Sequence, residues 1–265
     1  MTPHANVQAV LDYHNITNHT MQSVRENNQT LDFSNLPRTY KLYRKLETVP
    51  LPEELVPSSI PVLTALSAHS ATPPATSIPN LATLATLLKL SAGITKWLTV
   101  PNGKMAFRAA SCTGAMYHIE LYVVCGELEG LPAGVYQYGA HDNALRLIRS
   151  GDFRTALVGA TADNYDVANA PATIVNTSVF WRNAWKYQDR AYRHAFWDSG
   201  TILANTLAVA ASHSLSASVV TGFVDESVNR VVDIDGSKEA ALFLVPIGYA
   251  PSMCASIADA PDRVR

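Results

Sequence analysis

Phe180 to Leu215 reads FWRNAWKYQDRAYRHAFWDSGTILANTLAVAASHSL, and its two halves differ in character. The first half, ending at Asp198, sets Arg182, Lys186, Asp189, Arg190, Arg193 and His194 among tryptophans, tyrosines and two phenylalanines. The second half begins an uncharged run, with no Asp, Glu, Lys or Arg from Ser199 to Val224. Phe196, Leu203, Leu207 and Ala210 recur at helical spacing, which predicts a long helix from Asp189 to about His213. Just upstream, ATIVNTSVF predicts a buried strand over Ala172 to Phe180. The reactive cluster therefore lies between a buried strand and an uncharged helix, where strand ends present functional groups.

Working outward, NLATLATLLKLSAG predicts a second helix, with Asn80 as N-cap, Leu81, Leu84, Leu87 and Leu88 on one face and Gly93 as the stop. HIELYVVC, His118 to Cys125, alternates as a strand. GVYQYGAHDNALRLI predicts a hairpin turning at Ala140 to Asn143. ASVVTGFV predicts a further strand, DESVNRVVDID a short helix and AALFLVPIG a last strand. Residues 1–60 are polar and Asn-rich, with an early helix and an extended run at RTYKLYRKL; 56–80 is a proline-limited connector. The sum is an α+β domain, a mixed sheet flanked by helices, over 61–265, preceded by an N-terminal extension over 1–60.

Of the 265 residues, 48% are hydrophobic and 16% charged, against about 25% charged for an ordinary soluble domain. Much of the chain should be buried or paired with another chain. Twenty Lys plus Arg against 22 Asp plus Glu argue against a duplex nucleic-acid binder. The uncharged stretches are broken by proline or polar residues, which argues against a membrane span. Cys112, Cys125 and Cys254 form neither a disulfide framework nor a CxxC site, and the N-terminus lacks a signal-peptide pattern. A reducing cytoplasm is expected. The eight histidines show no metal-ligand spacing, so no metal is expected.

Lys186 and Tyr187 are the candidate chemistry. A lysine desolvated beside other cations loses its proton more readily, and a nearby cation lowers a tyrosine pKa. Such a pair suits removal of a weakly acidic proton while another group takes a hydride.

The run WKYQDRAYRHAFWDSGTILAN resembles the SagB-type dehydrogenases, a branch of the FMN-dependent nitroreductase superfamily, through Lys186, Tyr187, Arg190, Ala191, Tyr192, Arg193, Gly200 and Asn205. ELYVVCGELEGLPAGVYQYG resembles the family's strand and hairpin. GFVDESVNRVVDIDGSKEAALFLVPIG resembles its C-terminal block, and YHNITNHT and RTYKLYRKLETVPLP resemble its N-terminal extension more weakly. Ser111-Cys112-Thr113-Gly114-Ala115 stands where the family has Pro-Ser-Ala-Gly-Ala, with Arg108 before it. The Arg-Arg-Ser-x-Arg phosphate grip is replaced by Ala68-His69-Ser70-Ala71-Thr72, which keeps only the serine; Arg38, Lys41, Arg44 or a second subunit are the alternative grips.

The resemblance implies a dimer-forming nitroreductase-like fold that binds FMN and oxidises a thiazoline or oxazoline in a peptide natural product to the thiazole or oxazole. Lys186 and Tyr187 fall on the family's base pair. The cofactor is implied against Ser70, Arg108, Cys112, Thr113, Gly114, Asn205 and Gly222, and the substrate against Trp185, Arg190 and Tyr192. Implied partners are the peptide-derived azoline, a second copy of the chain, and a cyclodehydratase or carrier protein. The alternatives are a same-fold flavin oxidoreductase acting on another small molecule, and a non-catalytic scaffold subunit.

Overall fold

The computed structural model describes residues 3–58, 60–67, 76–101 and 103–251. The chain opens with helices α1 (Pro3–Thr17) and α2 (Met21–Glu26), then the short strand β1 (Thr48–Pro50), helices α3 (Val62–Ser67) and α4 (Leu81–Ala92), and the hairpin strands β2 (Ile94–Val100) and β3 (Gly103–Arg108). Strands β4 (Ile119–Cys125), β5 (Gly134–Gly139) and β6 (Ala144–Ser150) follow, with helices α5 (Arg154–Ala160) and α6 (Tyr165–Asn169) leading to β7 (Ala172–Val179). Helices α7 (Phe180–Tyr187), α8 (Ala191–Ser212) and α9 (Asp225–Val231) precede β8 (Glu239–Ile247).

Six strands form one sheet in the order β1-β6-β5-β4-β7-β8. The α+β domain expected from the sequence is present. Its sheet differs from the mixed arrangement expected in that each of the five pairings is antiparallel. The central strand β4 is buried along its whole length because both faces are covered. Its odd-numbered residues Ile119, Leu121 and Val123 pack with Leu84, Leu87 and Leu88 of α4 and Ile202 of α8. Its even-numbered Tyr122 and Val124 pack with Leu157 of α5 and Val228 of α9. Period-2 alternation thus assigns the two cores to opposite faces.

Asn80 caps α4, its Oδ1 accepting from the Thr83 N–H at 2.9 Å, and the helix stops at Gly93. A Cβ on Gly93 would lie 2.6 Å from the Lys89 carbonyl oxygen, so the exit needs glycine. The expected β5–β6 hairpin turns through Ala140 to Asn143 as read. Three local expectations differ. ASVVTGFV is not a strand. It meets β8 at two isolated bridges, Ala217–Ile247 and Val220–Leu244, and between them the Ser218 hydroxyl donates to Asp166 at 2.6 Å. RTYKLYRKL is irregular, pinned by Lys41, whose Nζ donates to Glu239 and Tyr122, each at 2.6 Å. The long helix starts at Ala191, because Gln188 adopts φ 48°, ψ −135° and separates α7 from α8. The β2–β3 hairpin, not among the elements expected from the sequence, has its turn signal in Pro101-Asn102-Gly103 between two strand-like runs. No helix among the described residues is long and apolar enough to cross a membrane.

One buried ion pair fixes where α7 leaves the sheet. Arg182 Nη1 donates to Glu120 Oε1 and to the Tyr117 carbonyl, both at 2.7 Å, and Gln137 donates to the same carboxylate at 2.9 Å. Arg182 is 3% and Glu120 4% exposed, so removing either partner strands a charge in the interior. Arg182→Ala is expected to lower the unfolding free energy by about 3–5 kcal/mol, read from urea denaturation; a change below about 1 kcal/mol would contradict this account of the pair.

Candidate functional site

Helix α7 delivers Lys186 and Tyr187, both half-buried, to its C-terminal end. Gln188 follows in a left-handed backbone conformation that a non-glycine residue adopts at a cost of about 1–3 kcal/mol. The chain turns there, and both side chains point at the loop after β3. Gly114 in that loop has φ 59°, ψ 18°, and a Cβ built on it would lie 2.2 Å from Tyr187 Oη and 3.2 Å from Lys186 Nζ. Only glycine lets the loop approach the pair this closely. Lys186 Nζ sits 5.4 Å from the Tyr187 ring centroid. The Tyr187 ring meets the His194 ring edge-on at 4.7 Å, and His194 Nδ1 pairs with Asn183 Oδ1 at 2.9 Å. Burial pushes His194 below the usual histidine range, so it presents a neutral ring to Tyr187 near neutral pH.

The loop is held by Asp198, the last charged residue before the uncharged run of α8. Its carboxylate accepts from the Thr113 N–H at 3.0 Å, the Thr113 hydroxyl at 2.7 Å, the Cys112 thiol at 3.1 Å and His118 Nε2 at 2.9 Å. His118 Nδ1 pairs with Ser178 Oγ at 2.9 Å, tying the network to β7. Thr201 of α8 adds a hydroxyl bond to the Ser111 carbonyl at 2.7 Å. Burial alone would raise the Asp198 pKa, yet the bonds from His118, Cys112 and Thr113 outweigh it and hold the carboxyl below its ordinary value. Burial beside that carboxylate pushes the Cys112 thiol up to about 12. The ligand atoms of Cys112, His118 and Asp198 lie within 4.8 Å of one another. Within that cluster the Cys112 thiol and His118 Nε2 are both bonded to the Asp198 carboxylate, so the three form a hydrogen-bonded lock between the loop, the entry to β4 and α8.

The remaining sequence candidates fall in different places. Arg108 ends β3, its guanidinium 5.0 Å from the Tyr117 ring centroid and 5.8 Å from that of Tyr40, with a buried Nε that lacks a partner. Asn205 is half-buried on α8, seven residues and about two turns beyond Asp198. Gly222 is exposed, and a Cβ there would meet nothing within 4 Å, so the structure gives it no close approach. Ser70 lies outside the described residues. Lys41 is committed to Glu239 and Tyr122.

Trp185, Arg190 and Tyr192 instead meet the N-terminal segment. Trp185 Nε1 donates to the Asp32 carbonyl at 2.9 Å, Arg190 to the Thr17 carbonyl, and Tyr192 packs edge-on against Tyr13 at 5.5 Å. Arg193 adds bonds to the Thr17 hydroxyl at 2.7 Å and the His14 carbonyl at 3.0 Å. Between that segment and the 186–190 turn lies a cleft of about 630 Å³. Asp198, Gln188 and His118 are not among the site residues expected from the sequence. The place of Asp198 immediately before the uncharged run from Ser199 was the available signal for the first.

Asp198→Asn replaces an acceptor with a group that cannot serve all four donors. It is expected to destabilise the fold by at least about 1.5–3 kcal/mol. Because the Asp198 pKa is lowered on folding, its contribution is present above the unfolded value of 3.8 and lost as pH falls through the folded one. Urea midpoints of wild type and variant should therefore converge on acidification below about pH 4. A constant gap down to pH 2 would contradict the assignment.

The chain's relatives bear on this arrangement. Over residues 76–249 it matches the model of the nitroreductase family. It is 30% identical over 146 residues to the trifolitoxin-processing protein TfxB of Rhizobium leguminosarum bv. trifolii, a match covering 53% of this chain and 39% of TfxB. A solved nitroreductase-named structure from Anabaena variabilis superposes with a TM-score of 0.74 at 26% identity, covering 89% of this chain and 45% of that one. A chain of the E. coli microcin synthetase McbBCD complex, with truncated pro-MccB17 bound, superposes with a TM-score of 0.58 at 19% identity, covering 93% of this chain and 94% of that one. The chain thus spans less than half the length of two of these three relatives. By its sequence over residues 76–249 and by its fold, this chain belongs to the nitroreductase family.

Proposed function

We propose that the chain is an FMN-dependent dehydrogenase that oxidises a thiazoline or oxazoline within a peptide to the thiazole or oxazole. The observation that carries this reading is the convergence of Lys186 Nζ and Tyr187 Oη on Gly114 at the rim of the cleft. Aromatisation removes a proton from one ring carbon and a hydride from its neighbour. The Lys186–Tyr187 pair takes the proton, with Tyr187 oriented by the neutral edge of His194. FMN, when bound, supplies the hydride acceptor. Two features fit a flavin. The buried Arg108 Nε has no partner of its own, and the Gly114 loop presents bare backbone beside the base pair. Arg108 and the 112–114 loop would hold the cofactor, with Ser70 and Asn205 as further contacts carried from the family resemblance.

A peptide as substrate is supported by the relatives, one named for processing trifolitoxin and one solved within a microcin synthetase carrying a microcin precursor. The reading includes a homodimer, supported by apolar side chains left exposed on the β2–β3 hairpin and on α8, among them Trp97, Met105 and Trp197. A cyclodehydratase or carrier protein as partner, and a cytoplasmic location, complete it. One observation favours a non-catalytic scaffold instead: Ala68 to Thr72 lacks the arginines of the family's phosphate grip.

Purified protein should take up FMN and show a flavin spectrum; failure to do so would favour the scaffold. With FMN and a thiazoline peptide, the product should lose the mass of two hydrogens. Lys186→Ala and Tyr187→Phe should each slow this by about 10²-fold or more, with the fold intact by circular dichroism. Gly114→Ala, whose Cβ would press on Tyr187, should slow turnover in the same direction. Turnover unchanged in all three variants would rule the base assignment out.

A further inference from the structure

We infer that the cleft between the N-terminal segment and the 186–190 turn binds an extended, uncharged stretch of peptide backbone flanking the reacting ring. This inference rests on the reading above and adds a binding site to it. The cleft, about 630 Å³, has the size of a small-ligand site. One wall is residues 16–31, and the other is Lys186 to Arg190, so the cleft ends on the two groups that converge at Gly114.

Its chemistry selects the ligand. Asn18, Asn27, Gln29 and Gln188 line it, and each carboxamide carries both donors and acceptors, as a peptide bond does. Glu26 and Asp189 offset Lys186 and Arg190, so the lining favours neither anion nor cation. Ile16 and Val24 are 73% and 59% exposed at its edge, giving apolar contact for the ligand's side chains. The wall stands where it does because Tyr13 donates to the Asp189 carbonyl at 3.0 Å and Arg193 grips Thr17 and His14. Arg193 therefore builds the cleft from behind, while Arg190 and the carboxamides line it.

The test is equilibrium binding by fluorescence anisotropy, using the full chain with FMN added and two labelled probes. One is an octapeptide of glycine, serine and asparagine with a central thiazoline; the other is a thiazoline carboxamide without flanking residues. Val24→Trp fills the cleft from an exposed position, and the paired variant Asn18→Ala, Asn27→Ala removes carboxamides from the wall opposite Lys186 without adding bulk. Each should weaken the octapeptide at least tenfold and leave the short probe within twofold. Octapeptide affinity unchanged in both variants, or no octapeptide binding by wild type, would overturn the inference. If the octapeptide binds and responds as expected but its mass never falls by two hydrogens, the cleft stands and the dehydrogenase reading fails.

Discussion

The Asp198 carboxylate organises this site. It sits 5% exposed within α8, immediately before that helix's uncharged run, and accepts bonds from a backbone N–H, a hydroxyl, a thiol and an imidazole. An unsatisfied carboxylate at that depth would cost several kcal/mol, so the 112–118 loop and α8 hold one another in a single register. That register places Gly114 against Lys186 and Tyr187. The Arg182–Glu120 pair fixes the other side of the same junction, where α7 leaves β7. Two buried charge networks, one per partner element, thus bring a bare backbone turn to Lys186 and Tyr187.

The N-terminal segment joins this arrangement through the same short run of sequence. Lys186 and Tyr187 face the cleft, while Arg190, Tyr192 and Arg193, one to two turns later, hold the segment that closes its far side. The strained Gln188 lets one run do both, because it ends α7 and redirects the chain before α8 begins. Arg190 lines the cleft and also bonds the Thr17 carbonyl, while Tyr192 packs on Tyr13, outside the cleft lining.

Much of this was legible in the sequence where a local rule applied. Asn80 and Gly93 bound α4 as capping chemistry requires, and alternation located β4. The pairing of ASVVTGFV was not legible, since it reduces to two isolated bridges to β8, a strand more than 20 residues downstream. Nor was the lock around Asp198, whose partners lie 80 to 86 positions upstream. The low charge content had a local meaning as well. Immediately before a stretch without other charges, the single carboxylate takes four donors from the 112–118 segment.

The central claim is that proton removal by the pair at Gly114 accompanies hydride transfer to FMN. Anaerobic rapid mixing of FMN-loaded protein with a thiazoline peptide tests it most directly, by following loss of the oxidised flavin's visible absorbance. Bleaching in wild type, slowed at least about 10²-fold in the Lys186→Ala, Tyr187→Phe double variant, is the result the structure predicts. Bleaching at the same rate in both proteins would contradict it.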